Sequence, residues 1–156
     1  MNQSGQSGYF IEDNFFSEEK IAEIKMEINE LSNDPDLDTY FDRNNILRRM
    51  EKFTFKSKVI SNVNDSIMSF LETKLGHEYV LFKDKINFKP KGGEGFFAHY
   101  DGVFEFVNSN NEIKKGWYEY GDFFVSALVA IDKCNKENGA LEIAKHHEGN
   151  FEELYE

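Results

Sequence analysis

The segment Phe97-Ala98-His99-Tyr100-Asp101 places an imidazole and a carboxylate two residues apart. In an extended strand, side chains at i and i+2 leave the same face. His99 and Asp101 would then present a ring nitrogen and a carboxylate oxygen side by side. One histidine and one carboxylate are two parts of the facial triad that holds non-haem Fe(II), a site that keeps three positions open for co-substrate and O2. A second histidine must come from elsewhere in such a site. The bare H-x-D pattern arises often by chance, and the same pair can instead be joined by a hydrogen bond within a sheet. These few residues leave both readings open.

The elements that must position them fall in two groups. Tyr9 to Glu12 reads as a short opening strand. A helix is then expected from Ser17, whose hydroxyl can cap the free amides of the first turn. Phe16 and Ile21 stand at hydrophobic-staple spacing, and Ile21, Ile24, Ile28 and Leu31 form one apolar stripe. Asn33-Asp34-Pro35-Asp36 ends that helix. Asp34, Asp36 and Asp38 alternate as in a calcium loop, but Thr39 and Asn45 occupy the positions that need glycine and glutamate, so the stretch reads as a solvated loop. A second helix is expected from about Lys58 to Leu75, with Val59, Val63, Ile67, Phe70 and Leu71 on one face and Gly76 as its C-cap.

Beyond Tyr79 the pattern changes to strands. Tyr79 to Lys89 ends in alternation, with Ile86 and Phe88 against Lys85, Asn87 and Lys89. The turn Pro90 to Gly95 follows, then a short strand from Phe96 to Asp101, which Gly102 would end or bend. After a polar insertion around Asn108 to Lys115, the run Phe123 to Ile131 is almost wholly apolar, as in a strand buried on both faces. Lys133 to Gly139 reads as a turn, and Ala140 to Ala144 begins a further strand. Two helices followed by a run of strands predict an α+β or helix-flanked all-β domain. We take 1–156 as one domain, with a helical flank over about 1–76 and strands over 77–156.

Composition narrows the partners. The chain has 29 Asp+Glu against 18 Lys+Arg, a net charge of −11, which repels phosphate backbones and anionic lipid. Nucleic acid and membrane surfaces are therefore not expected partners. With 16 Phe among 156 residues, a packed interior is expected rather than disorder. Cys134 is the single cysteine. It excludes an internal disulfide and fits a reducing compartment, so a cytoplasmic protein without a signal peptide is expected.

The order of these pieces carries more than any one of them. Lys85-Ile86-Asn87-Phe88-Lys89-Pro90, a glycine-rich turn, Phe96 to Gly102, the apolar Val125 to Asp132, and Glu137-Asn138-Gly139-Ala140-Leu141-Glu142-Ile143 together resemble the phytanoyl-CoA dioxygenase family of Fe(II)/2-oxoglutarate oxygenases. Gly8-Tyr9-Phe10-Ile11 and the capped helix resemble that family's opening. The resemblance implies helices packed on an antiparallel double-stranded β-helix, a jelly-roll or cupin-like fold. It implies His99 and Asp101 as metal ligands, and Lys85 and Asn87 as candidates for binding 2-oxoglutarate, against their alternative as ordinary solvent-facing strand residues. It also implies Fe(II) and 2-oxoglutarate as cofactor and co-substrate, and a small-molecule substrate.

Departures from the family pattern are specific. Tyr100 stands where the family often has glutamine, Leu128 where it often has tryptophan, and Lys145-His146-His147 where a Gly-Ser-His turn is usual. No arginine follows Arg49, whereas the family pairs an arginine with the distal carboxylate of 2-oxoglutarate far along the chain. His146 and His147 are alternatives for the third ligand, while the simpler account is that the sequence holds the front part of the fold. About half the eight strands of a jelly roll can be counted, so uncovered sheet edges and self-association are expected. An inactive fragment, a jelly-roll binding module without metal, and a cupin-like protein using another metal stay open beside the oxygenase. The aromatic-rich stretch Val103 to Tyr120 edges a pocket mouth on the oxygenase reading; otherwise it is an anchored surface loop.

Overall fold

A computed structural model of the chain describes residues 8–91 and 99–143. The chain divides into two compact units, the first made from 8–91 with 129–143 and the second from 99–128.

The first unit begins with α1 (Glu18–Leu31). Ser17 caps it, its hydroxyl accepting the Lys20 N–H at 3.2 Å. Glu18 and Glu19 sit in the first turn, where the helix dipole favours negative charge. A backbone hydrogen bond, aided by the Ser17 hydroxyl, holds the Glu19 carboxyl below its usual range. The stripe Ile24, Ile28 and Leu31 is buried, and Phe16 and Ile21 pack against the same core. α2 (Lys58–Leu75) is capped by Ser57 and ends at Gly76, left-handed at φ +77°, which glycine adopts without steric cost. Both helices have the bounds and caps that local chemistry predicts.

Between them lies a hairpin where a loop was expected. β1 (Asp38–Phe41) pairs antiparallel with β2 (Leu47–Glu51), running from Asp38 opposite Glu51 to Phe41 opposite Leu47. Asp42 ties the turn, its carboxylate accepting the N–H groups of Asn44 at 2.9 Å and Ile46 at 3.0 Å. Such aspartate-to-backbone bonds replace the missing ladder at a turn. β3 (Lys85–Asn87) adds to β2, giving the order β1-β2-β3. Beside it, the Asp84 carboxylate accepts the N–H groups of Lys52 at 2.6 Å and Thr54 at 2.7 Å, bracing a backbone that is left-handed at Lys52, φ +60°. Met50 projects from β2 into the core and is fully buried among Ile24, Ile28, Leu37, Phe53 and Val63. Ile131 flanks that core, and Lys25 of α1 pairs with Asp132 at 2.6 Å.

The second unit holds β4 (Glu105–Val107) and β5 (Ile113–Lys115), paired antiparallel from Glu105–Lys115 to Val107–Ile113. Asn108 closes this hairpin by accepting the N–H groups of Asn110 and Glu112. A short 3-10 turn, Gly116–Glu119, follows.

Helices with small antiparallel sheets agree with the mixed helix-and-strand class. Among the described residues, however, the strands form one three-stranded and one two-stranded sheet, and no jelly roll is seen. Several expected strands are corrected. Residues 9–12 and 140–143 form none, and Tyr79 to Lys89 contracts to β3. The segment 108–115 is half of a hairpin rather than a plain insertion. Phe123 to Ile131 joins no sheet, and Phe123 and Leu128 are 68% and 71% exposed. A doubly buried strand needs partners on both edges and cover on both faces, and none of the described strands supplies them. Residues 96–98 of the expected strand before Gly102 lie outside the described residues. Among the described residues no helix is long and apolar enough to cross a membrane.

Candidate metal site

His99 and Asp101 lie in the second unit, and the structure brings them together by a turn rather than a strand. The N–H of Val103 reaches back to the carbonyl of Tyr100 at 3.4 Å, and Gly102 at the third position has φ +79°, as a type II turn requires. His99 Nε2 stands 3.5 Å from Asp101 Oδ1, with both side chains about half exposed. The expected geometry of two side chains on one strand face is thus replaced, while the juxtaposition it was meant to explain is present.

What fixes the turn is a close approach of two glycines. A Cβ on Gly102 would meet the Trp117 indole at 2.8 Å, and a Cβ on Gly116 would fall 1.9 Å from the Gly102 carbonyl oxygen. Gly116 itself has φ +60°. The Trp117 N–H donates to the Gly102 carbonyl at 3.1 Å. The β4–β5 hairpin therefore returns the chain so that Gly116-Trp117 clamps the residue next to Asp101. Trp117 also meets Phe124, ring centroids 5.6 Å apart, and Tyr118 meets Phe124 edge-on at 6.0 Å. From that anchor the chain reaches Ser126, whose hydroxyl donates to Asp101 Oδ2 at 3.2 Å.

The two oxygens of Asp101 thus have different partners, Oδ1 toward His99 and Oδ2 toward Ser126. Two donors that share one first-row ion at about 2.1 Å each can stand no more than about 4.2 Å apart. The His99–Asp101 separation of 3.5 Å meets that limit, so the pair fits a metal ion. Among the described residues no group of three His, Cys, Asp or Glu side chains is gathered. His146 and His147 lie outside the described residues.

Lys85 and Asn87 lie in the first unit, on the exposed face of β3 opposite Ile86. They share that face as the alternation predicts, with Lys85 across from Glu51 and Asn87 across from Arg49. The aspartates at 34, 36 and 38 are attended by lysines, Lys56 at 3.8 Å from Asp34 and from Asp36, and Lys52 against Asp38; Asp34 and Asp36 lie in a loop as expected, whereas Asp38 opens β1. Ser126 and the Gly102–Gly116–Trp117 clamp were missed from the sequence. Ser126 left a faint signal, as the one hydroxyl inside the apolar run Phe123 to Ile131. The clamp left none, because it depends on two glycines distant in sequence.

Comparison with known proteins gives the class. The phytanoyl-CoA dioxygenase (PhyH) family model matches residues 5–151, nearly the entire chain, and the chain belongs to that family. Its relatives are named as dioxygenases and hydroxylases. The chain is 31% identical over 102 residues to a 2-aminoethylphosphonate dioxygenase of Uncultured bacterium HF130_AEPn_1, covering 64% of this chain and 34% of that protein. It is 27% identical over 147 residues to a probable alpha-ketoglutarate-dependent hypophosphite dioxygenase of Stutzerimonas stutzeri, covering 86% of this chain and 47% of that protein. A methylphosphonate hydroxylase of Gimesia maris is 31% identical over 68 residues, 43% of this chain and 21% of that protein. The chain spans about a third to a half of the length of the first two. No solved structure matches it.

Proposed function

We propose that this chain carries the iron-binding turn of an Fe(II)/2-oxoglutarate-dependent dioxygenase that hydroxylates a small organic molecule. The observation that carries the reading is the His99–Asp101 pair at 3.5 Å, inside a chain matched almost throughout by the PhyH family. In this reading His99 and Asp101 are the two ligands contributed here, and a further histidine completes the triad.

Iron held there would supply the oxidising step, one atom of O2 going to the substrate and the other to the co-substrate: a C–H bond, or a P–H bond in a substrate such as hypophosphite, would become C–OH or P–OH while 2-oxoglutarate yields succinate and CO2. The chain's own residues supply geometry. His99 and Asp101 fix the ion on a clamped turn, and Ser126 occupies the second oxygen of the carboxylate. Lys85 offers a cation, and Asn87 an amide, to the carboxylates of 2-oxoglutarate. The aromatic-rich stretch from Val103 to Tyr120 edges the pocket mouth. All three named relatives act on small phosphorus oxyanions, so 2-aminoethylphosphonate, methylphosphonate and hypophosphite head the substrates to test.

The decisive experiment is an anaerobic titration of the chain with Fe(II) and 2-oxoglutarate, followed by the visible iron-to-co-substrate charge-transfer band. A band that disappears in His99→Ala supports the reading. A band of equal strength in His99→Ala and Asp101→Ala would sink it, and a folded wild type without any band would show that the iron site is not formed by this chain.

A further inference from the structure

The contacts around Asp101 close on themselves. Asp101 is followed by Gly102, Gly102 accepts the Trp117 N–H at 3.1 Å and lies under its indole, Trp117 packs on Phe124 at 5.6 Å, and two residues on Ser126 returns to Asp101 Oδ2 at 3.2 Å. Asp101 apart, no member of this ring is a ligand in the iron reading. The ring's effect is to hold one carboxylate oxygen away from the position where His99 and Oδ1 converge.

We infer that Ser126 is a positioning residue for the metal site, delivered by the Trp117–Phe124 contact, and that its hydrogen bond keeps Asp101 a one-oxygen ligand. The inference rests on the iron reading above and deepens it. A carboxylate with both oxygens available can grip an ion with one or two of them. Occupying Oδ2 with a hydroxyl donor makes two-oxygen binding cost that hydrogen bond, and so keeps a coordination position open for a co-substrate. Partners of this kind orient a ligand without touching the ion, and their loss typically lowers metal affinity by about 10- to 100-fold.

The ring also supplies its own reporter. Trp117 is the single tryptophan of the chain and packs against the residue next to Asp101, so a transition-metal ion held by Asp101 should quench its emission. The test is a titration of the full 156-residue chain with Co(II), an air-stable stand-in that binds such sites more tightly than Fe(II). Trp117 fluorescence gives the affinity and the visible d–d band gives the coordination number. The wild type is compared with His99→Ala, Ser126→Ala and Ser126→Thr.

The expected result has four parts: quenching in the wild type, its loss in His99→Ala, about 10-fold weaker binding in Ser126→Ala, and recovery in Ser126→Thr. The Ser126→Ala band should also lose intensity, as it does at higher coordination number. If Ser126→Ala matches the wild type while His99→Ala abolishes quenching, the metal reading stands and the positioning role is overturned. If Ser126→Ala and Ser126→Thr weaken binding alike and both shift the metal-free Trp117 emission, Ser126 is a packing residue and the inference falls. If the wild type shows no quenching, or His99→Ala quenches as the wild type does, the metal reading fails and takes the inference with it.

Discussion

The two units of this chain are held by different physics. In the first, aliphatic side chains from α1, α2 and β2 converge on Met50, which has no exposed surface, and burial is the dominant stabilising term. In the second, strongly exposed apolar residues are common, with Val103, Phe104, Tyr118 and Phe123 all at least half exposed. There the ordering comes from a backbone approach so close that two glycines are obligatory. A core built from many soft contacts degrades gradually when one is removed. A clamp built from one hard contact opens when a single methyl group is added. The buried core resides in the first region and the candidate metal ligands in the second.

The comparison is tested most severely at its two centres. Met50→Ala removes a fully buried side chain from the first core and should lower unfolding free energy by about 2–5 kcal/mol, read by urea denaturation followed through far-ultraviolet circular dichroism. A change below 1 kcal/mol would contradict the central place of Met50. Asp84→Ala is expected to cost about 1.5–3 kcal/mol, since both carboxylate oxygens accept backbone N–H groups at Lys52 and Thr54. Asp84→Asn should recover part of this loss, because its one carbonyl oxygen can still accept while its NH2 cannot. Equal losses in both variants would show that the charge rather than the bonds matters.

How far the sequence spoke depended on the range over which each interaction acts. The helices were legible to the residue because Ser17, Ser57 and Gly76 act on their own turns and the stripes repeat every three to four positions. The β1–β2 hairpin was not. Its strands carry Asp38, Arg48, Arg49 and Glu51, and Met50 is the one deeply buried apolar side chain they contribute, so no alternation stands out. Its turn is made by an Asp42 side chain lost among neighbouring acidic residues. Phe123 to Ile131 misled in the opposite sense. Apolar composition states what a segment would bury if partners were present, and a strand exists only when those partners pair with it. His99 and Asp101 were legible as types, because iron chemistry restricts its ligands. The turn that joins them was not, because Gly102 depends on Gly116 fourteen residues later.

That dependence yields the next prediction. Gly116→Ala places a methyl carbon 1.9 Å from the Gly102 carbonyl oxygen in a backbone already at φ +60°, so the backbone itself must shift, at a cost of about 1–3 kcal/mol. The effect should be confined to the second region: Trp117 emission moves to longer wavelength as the indole leaves Gly102, while the helical circular dichroism is retained. An unmoved Trp117 spectrum would mean the two glycines are not in contact in solution.

The smallest effect belongs to a helix end remote from any chemistry. Ser17→Ala removes the acceptor for the Lys20 N–H, at 3.2 Å and exposed, and should cost about 1 kcal/mol. Ser17→Asp should retain or improve stability, since aspartate caps as well as serine and adds negative charge at the positive end of the dipole. With Glu18 and Glu19 already in the first turn, part of that gain is offset by repulsion among carboxylates. The charge-dependent gain is therefore expected to appear as pH rises through the carboxylate range and the introduced carboxylate ionises, reduced by its repulsion from Glu18 and Glu19. It is lost as pH falls below that range. Denaturation midpoints of the three proteins at low and neutral pH separate the two contributions. A Ser17→Ala variant as stable as the wild type at both pH values would show that the cap hydroxyl is not what starts α1. The first region's order would then rest on its buried stripe alone.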